Sequence, residues 1–153
     1  MNGRIESIFI APAAKAPLVA VAEAVAIAAR GLEGDRYAVE AGSFSRWPGS
    51  GRHLTFIEAE AVEAVLSETG IDVGNGRHRR NLVTRDVRLD DLIGRRFRIG
   101  GVLLRGERQC QPCEFLERLT EPGVLEALKG RGGLRAEILE GGAIRAGDAI
   151  DPL

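Results

Sequence analysis

Arg96-Phe97-Arg98-Ile99-Gly100-Gly101-Val102-Leu103-Leu104-Arg105 reads as two strands, with the double glycine between Ile99 and Val102 as a hairpin turn. Upstream, Arg80 to Thr84 reads as a further strand, separated from the hairpin by Leu89-Asp90-Asp91-Leu92-Ile93-Gly94. Near the start, Arg4 to Ile10 predicts an opening strand closed by the Ala11-Pro12 turn. Leu18 to Ala29 places Val19, Val21, Val25 and Ile27 at odd positions, a period of two that predicts strand with those residues on one face. Downstream, Leu134, Ala136 and Ile138 alternate with Arg135, Glu137 and Leu139, and Gly141-Gly142 leads to a last short strand near Ala149-Ile150.

Helical signals are fewer. Thr55-Phe56-Ile57-Glu58 has capping-box spacing, which predicts a helix with Thr55 as its cap, Val62, Val65 and Leu66 as its apolar face and Gly70 as its left-handed end. Glu114 to Leu119 predicts a short helix beginning close to Cys113, and Glu121 to Lys129 another, capped by Thr120 and ended by Gly130. Gly74-Asn75-Gly76 is a turn, and Gly42 to Gly51 a long exposed loop. Many short strands with few helices predict a mainly β, α+β fold: a closed or strongly curved β-barrel-like sheet decorated by short helices.

The chain has 153 residues, 44% hydrophobic and 28% charged, which predicts one globular domain over residues 1–153 and excludes a disordered class. No basic start precedes an apolar run, so no signal peptide is expected. The longest apolar window, Ala16 to Ala29, holds Pro17 and Glu23 and is too short to span a bilayer. Two cysteines in such a chain point to a reducing cytoplasm.

Net charge is −1, but it is unevenly spread. Residues 1–76 carry six basic against ten acidic side chains, residues 77–108 ten against four, and residues 109–153 five against eight. Nineteen of the 21 basic residues are arginine, whose planar fork suits phosphate or carboxylate. The central excess marks an anion site rather than nucleic-acid binding, for which the aromatic stacking set and net positive charge are missing.

Cys110-Gln111-Pro112-Cys113 is the most informative chemical feature. Structural zinc wants four ligands, and His53 and His78 lack paired spacing, so both histidines read as loop or packing residues. A thioredoxin-like dithiol would need strand–helix–strand surroundings that the pattern does not supply. The other readings are two packed thiols or one reactive thiol. Cys113, in the first turn of the predicted helix, has the field that favours thiolate, and thiolate can act as nucleophile, persulfide acceptor or soft metal ligand. Cys110 lies outside that field. Arg77-His78-Arg79-Arg80-Asn81 precedes a strand beside a turn, where guanidinium and amide donors can converge on an anion. Strand alternation would put Arg79 with Asn81 on one face and His78 with Arg80 on the other, unless the stretch is still loop. Gly31-Leu32-Glu33-Gly34-Asp35-Arg36, taken alone, is a turn in which Asp35 pairs with Arg36 or caps amides.

In order along the chain, that glycine loop, Arg80-Asn81-Leu82-Val83, Asp91-Leu92-Ile93-Gly94, Cys110-Gln111-Pro112-Cys113 and Gly141-Gly142-Ala143-Ile144-Arg145-Ala146-Gly147-Asp148 resemble the MOSC domain family. That family is named for the C-terminal domain of molybdenum cofactor sulfurases. The resemblance implies a β-barrel-like fold and a protein that handles molybdenum cofactor or sulfur through one cysteine. By position the key cysteine is Cys113, which would ligate the metal. Arg80 and Asn81 match the family's Arg-Asn element, and Arg36, with Asp35 beside it, matches the glycine loop; these would bind the pterin cofactor.

Three functions follow as expectations. The first is a molybdenum-cofactor-binding oxidoreductase component, acting on N-hydroxylated or similar small substrates through the Cys113 thiolate and served by a reductase protein. In the second, Cys113 carries a persulfide loaded by a cysteine desulfurase. The third is a non-catalytic anion-binding module. At this length no pyridoxal-phosphate domain fits, so no intrinsic pyridoxal phosphate site is expected; neither a membrane nor a nucleic-acid partner is expected.

Overall fold

The computed structural model describes residues 3–13, 15–36 and 54–153. The strands are β1 (Gly3–Ile10), β2 (Val19–Val21), β3 (Glu23–Ile27), β4 (Gly31–Leu32), β5 (Leu54–Glu58), β6 (Leu82–Arg85), β7 (Arg96–Ile99), β8 (Val102–Gln109), β9 (Leu134–Glu140), β10 (Gly142–Arg145) and β11 (Ala149–Pro152). Helices are α1 (Ala59–Thr69), α2 (Glu114–Leu119) and α3 (Val124–Ala127), with a 3-10 turn at Leu89–Leu92. The loop over Gly42 to Gly51 and His53 lie outside the described residues.

Seven strands close a barrel in the order β11-β7-β8-β9-β5-β6-β1, and β1 returns to β11 through Gly3 opposite Ile150. The far end of that same β1 edge pairs with β2, so the first strand serves both the barrel and an extension. Most neighbours are antiparallel, as hairpins dictate. β5 and β6 are parallel, because α1 carries the chain back across the outside of the wall. A second, three-stranded sheet orders β10-β3-β4.

Alternation fills the barrel from inward positions: Leu54 and Phe56, Phe97 and Ile99, Leu134, Ala136 and Ile138 share one core with Ile5, Leu82 and Leu104. Phe56 meets Phe97 edge to face, with centroids 5.9 Å apart. Outward residues Ile57 and Val83 form a second core with Val65, Leu116, Val124 and Leu128 under the three helices. Both faces of β5 are therefore buried.

Several local expectations change. In β3 the buried residues are Ala24 and Ala26, while Val25 is exposed, the reverse of the face the valines suggested. Ala24 and Ala26 pack into the barrel core, and β10 lies close against this strand, with no room for a Cβ at Gly141 beside the Ala26 carbonyl. The Thr55 box does not cap a helix. Residues 54–58 are strand, α1 starts from Glu58 without a side-chain cap, and the Thr55 hydroxyl bonds Asn81 instead. α1 buries Ala59, Ala61 and Val65, leaving Leu66 exposed, and ends as expected at Gly70 in the left-handed region. Thr120 donates to the Leu116 carbonyl and closes α2 rather than opening α3, whose N-cap is Gly123.

Gly133 sets the closest approach in the fold. Its φ is +112°, and a Cβ there would overlap the Phe56 carbonyl oxygen. This contact lets the 130s loop lie against β5 and present the Gly133 carbonyl to the Cys110 amide at 2.8 Å. Gly133→Ala should destabilise the protein by about 3 kcal/mol through strain and overlap. Gly130→Ala, at φ +79° with open space around it, should cost about 1 kcal/mol from conformation alone. Urea unfolding midpoints of the two variants check the contrast.

Candidate functional site

The site forms on the outer wall of the barrel, where β5 and β9 are neighbours and Thr55 stands opposite Arg135. Leu54, Phe56, Leu134 and Ala136 point inward, so Thr55 and Arg135 face outward side by side. Beside them, residues 77–81 run as turn and loop into β6, which begins only at Leu82, so strand alternation does not sort Arg79, Arg80 and Asn81. Arg79 takes a left-handed backbone, φ 62°. Above them β8 ends, Cys110 to Pro112 follow without a turn, and α2 starts with Cys113 as its N-cap.

These segments enclose a cavity of about 40 Å³ lined by Cys110, Cys113 and Phe115 and by four arginines, Arg36, Arg79, Arg80 and Arg135. Among the described residues lining it there is no carboxylate. The concentration of guanidinium groups gives the cavity a lining of a kind that suits an anion.

Each predicted residue has a definite place. Cys113 is half-buried and packs at the edge of the outer core, whereas Cys110 is 1% exposed; both are free thiols. Cys113 sits one position before the first helical turn where the sequence placed it, with extended backbone and no capping bond from its side chain. Arg80 is buried, and its guanidinium donates to three carbonyls: Gly132 at 2.8 Å, Cys110 at 3.0 Å and His78 at 3.1 Å. Three of its five N–H groups are thereby committed. Arg36 donates to Asp35 Oδ1 and to the Arg79 carbonyl, both at 3.1 Å, while Asp35 also accepts the Ala11 amide at 2.9 Å. Asp35 is fully buried and braces Arg36 from behind the cavity wall.

Asn81 also stands behind the wall. Its carboxamide oxygen accepts the Thr55 amide and hydroxyl, and its Nδ2 donates to the Phe9 carbonyl at 3.1 Å. It fastens β1 to β5 at the point where the β6 ladder has not yet begun. His78, read as a packing residue, is one: it meets Phe9 edge to face and its Nδ1 accepts the Arg80 amide at 2.9 Å. Burial, and then the Arg80 charge, lower its pKa to about 3. Among the described residues no three of His, Cys, Asp and Glu gather as a metal cluster.

Thr55, Arg135 and Phe115 were not singled out as site residues by the sequence. Register across β5 and β9 is what brings Thr55 to Arg135. In sequence, Arg135 is one more polar residue in an alternating strand.

The MOSC domain model matches residues 45–151. The chain belongs to the MOSC domain family. The family is associated with molybdenum cofactor binding. Among solved structures, this MOSC domain is similar to the YuaD protein from Bacillus subtilis, with a TM-score of 0.81, 17% identity and coverage of 99% of this chain and 96% of that one. It is also similar to YiiM from Escherichia coli, with a TM-score of 0.74, 17% identity and coverage of 100% and 70%. For YiiM from Geobacillus stearothermophilus the values are 0.74, 17%, 99% and 75%. At these identities the likeness shows the fold. No curated protein matches the chain. No described helix is long and apolar enough to cross a membrane.

Two measurements test the site of this MOSC domain. Iodoacetamide should alkylate Cys113 at least about tenfold faster than Cys110, because only the former reaches solvent; peptide mass mapping over time reads the two rates. His78 stays neutral in the fold while the unfolded chain takes up its proton near pH 6.5. Its contribution to stability is therefore complete above that pH and is lost as pH falls from 6.5 toward 3. The loss should reach about 2 kcal/mol by pH 5, and His78→Phe should flatten the dependence; urea titrations at pH 7.5 and 5 check both.

Proposed function

We infer that this cytoplasmic MOSC domain is a molybdenum-cofactor-binding oxidoreductase component that acts through Cys113. The observation that carries the reading is one cavity holding a half-buried thiol among four arginines and no lining carboxylate. A soft thiolate suits molybdenum and guanidinium forks suit a phosphate, so the donors present fit a pterin cofactor with both. The molybdenum cofactor, when bound, supplies two-electron redox chemistry.

The chain's own residues hold and orient. Cys113 Sγ is the ligand for the metal. Arg36, Arg79 and Arg135 are the donors for the cofactor's phosphate. Arg80 is a positioning residue: by holding the Cys110 and Gly132 carbonyls it fixes the loop from which Cys113 projects. Asn81 and Asp35 act through Thr55 and Arg36, respectively. Phe115 and Leu116 give the cavity an apolar side against which a small N-hydroxylated substrate can lie. A reductase protein returns the electrons that turnover consumes.

The small size of the cavity favours a second reading, in which Cys113 carries sulfur. The Cys113 thiolate attacks the terminal sulfur of a cysteine desulfurase persulfide, the donor's S–S bond breaks, and the desulfurase leaves as thiolate while Cys113 keeps the persulfide.

Purification from cells that make the cofactor, followed by metal analysis, separates the readings. The first expects close to one molybdenum per chain in the wild type and at least about a tenfold loss in Cys113→Ala. Absence of molybdenum from both, with one added sulfur on the Cys113 peptide after treatment with a desulfurase and cysteine, establishes the carrier instead. Arg80→Lys should lower metal content while leaving the Cys113 thiol in place, since an ammonium cannot span three carbonyls.

A further inference from the structure

A second cationic cavity lies beside the first. It has a volume of about 170 Å³, and its polar lining includes Lys15, Arg77, Arg79 and Asn75, with no carboxylate among the described lining residues. Arg79 lines both cavities. The Arg79 carbonyl accepts Arg36 from the thiol side, and its Nη1 donates to the Ala16 carbonyl at 2.6 Å, at the base of the segment that carries Lys15. One arginine therefore forms the partition between the two anion-accepting spaces.

The backbone around this cavity is unusual. Five described non-glycine residues have positive φ, and three of them, Lys15 at 67°, Asn75 at 53° and Arg79 at 62°, line it. Such conformations cost free energy and gather at ligand clamps. Asn75 belongs to the Gly74-Asn75-Gly76 turn, where that conformation is ordinary, which leaves Lys15 and Arg79 as the two strained residues, from segments far apart in sequence. Arg77 is tethered rather than loose: it donates to the Asp72 carbonyl at 2.7 Å and approaches Glu121 at 3.7 Å, in an ion pair with both partners more than 40% exposed. A phosphate can replace so solvated a carboxylate at little cost.

We propose that the Lys15–Arg77–Arg79 cavity is a second phosphate subsite, so that the site takes a diphosphate ester, with one phosphate among Arg36, Arg79 and Arg135 and the next beyond Arg79. The subsite deepens the anion-binding half of the proposed function and rests on the first cavity holding a phosphate. Two sources share this chemistry: a cofactor whose phosphate is extended by a nucleotide, or a free nucleoside diphosphate. Both place two adjacent negative groups on either side of Arg79, whose guanidinium keeps its positive charge while Nη1 donates to the Ala16 carbonyl.

The test uses the full chain, prepared without cofactor, in calorimetric titrations with orthophosphate, inorganic pyrophosphate and ADP. Pyrophosphate and ADP should bind at least about tenfold more tightly than orthophosphate, the effect of one added charge-assisted contact. In Lys15→Ala/Arg77→Ala, two exposed positions whose loss leaves the fold intact, that preference should disappear while orthophosphate affinity stays within about twofold. Equal binding of all three anions to the wild type, no binding of any, or a preference that survives the double substitution overturns the subsite. Protein purified from cofactor-making cells then distinguishes the sources. About one nucleotide released by acid per molybdenum identifies an extended cofactor; molybdenum with no nucleotide, alongside tight ADP binding, identifies a free nucleoside diphosphate. A lack of molybdenum defeats the cofactor reading alone, because pyrophosphate discrimination is measured without it.

Discussion

The guanidinium of Arg80 gathers three backbone carbonyls from three segments remote in sequence: the turn at His78, the thiol loop at Cys110 and the 130s loop at Gly132. A buried cation must replace the water it loses, and here carbonyl dipoles do so. Because no carboxylate among the described residues pairs with it, the charge remains as a positive field inside the cavity rather than being cancelled at source. One residue thus performs two tasks, holding the walls together and setting the sign of what they enclose. The same charge, with burial, keeps His78 neutral, which in turn lets its Nδ1 accept the Arg80 amide.

Around this clamp the architecture works by displacement from the core outward. Inward positions of β5 and β9 go to the barrel interior, which leaves their outward positions, Thr55 and Arg135, to build a wall of the cavity. Gly133 permits the close approach that brings the 130s loop to both Phe56 and Cys110. Asn81 and Asp35 add stiffness where ladder bonds are lacking. Of the arginines that face the cavity, Arg80 and Arg79 donate to backbone carbonyls and Arg36 to the buried Asp35, which fixes where they stand.

Much of this was legible in the amino-acid order, and the failures have physical causes. The hairpin about Gly100-Gly101, the β9 alternation and the extent of α2 are local patterns with one strong solution, and they appear as read. Val19, Val21 and Val25 misled because the alternating pattern fixes only that two faces exist, and tertiary pairing put Ala24 and Ala26 on the inner one. Thr55 misled because its hydroxyl had a better partner in Asn81, 26 residues away, than in the backbone three residues on. In the site, Cys113, Arg80 and Arg36 carry local motifs and line one cavity. Asn81 and Asp35 carry the same motifs, yet their side chains are consumed in bracing. Arg135 carries no motif at all, since only strand register places it.

The barrel is closed by the pairing of β1 with β11, the strands nearest the two ends of the described chain. Most of the described residues separate these two partners along the chain, so the seam is a contact of large sequence separation. Until it forms, β1 presents an unmated edge, already shared in part with β2, that another strand could take. Mating that seam therefore removes an open edge as well as shutting the wall on which the thiol cavity is built.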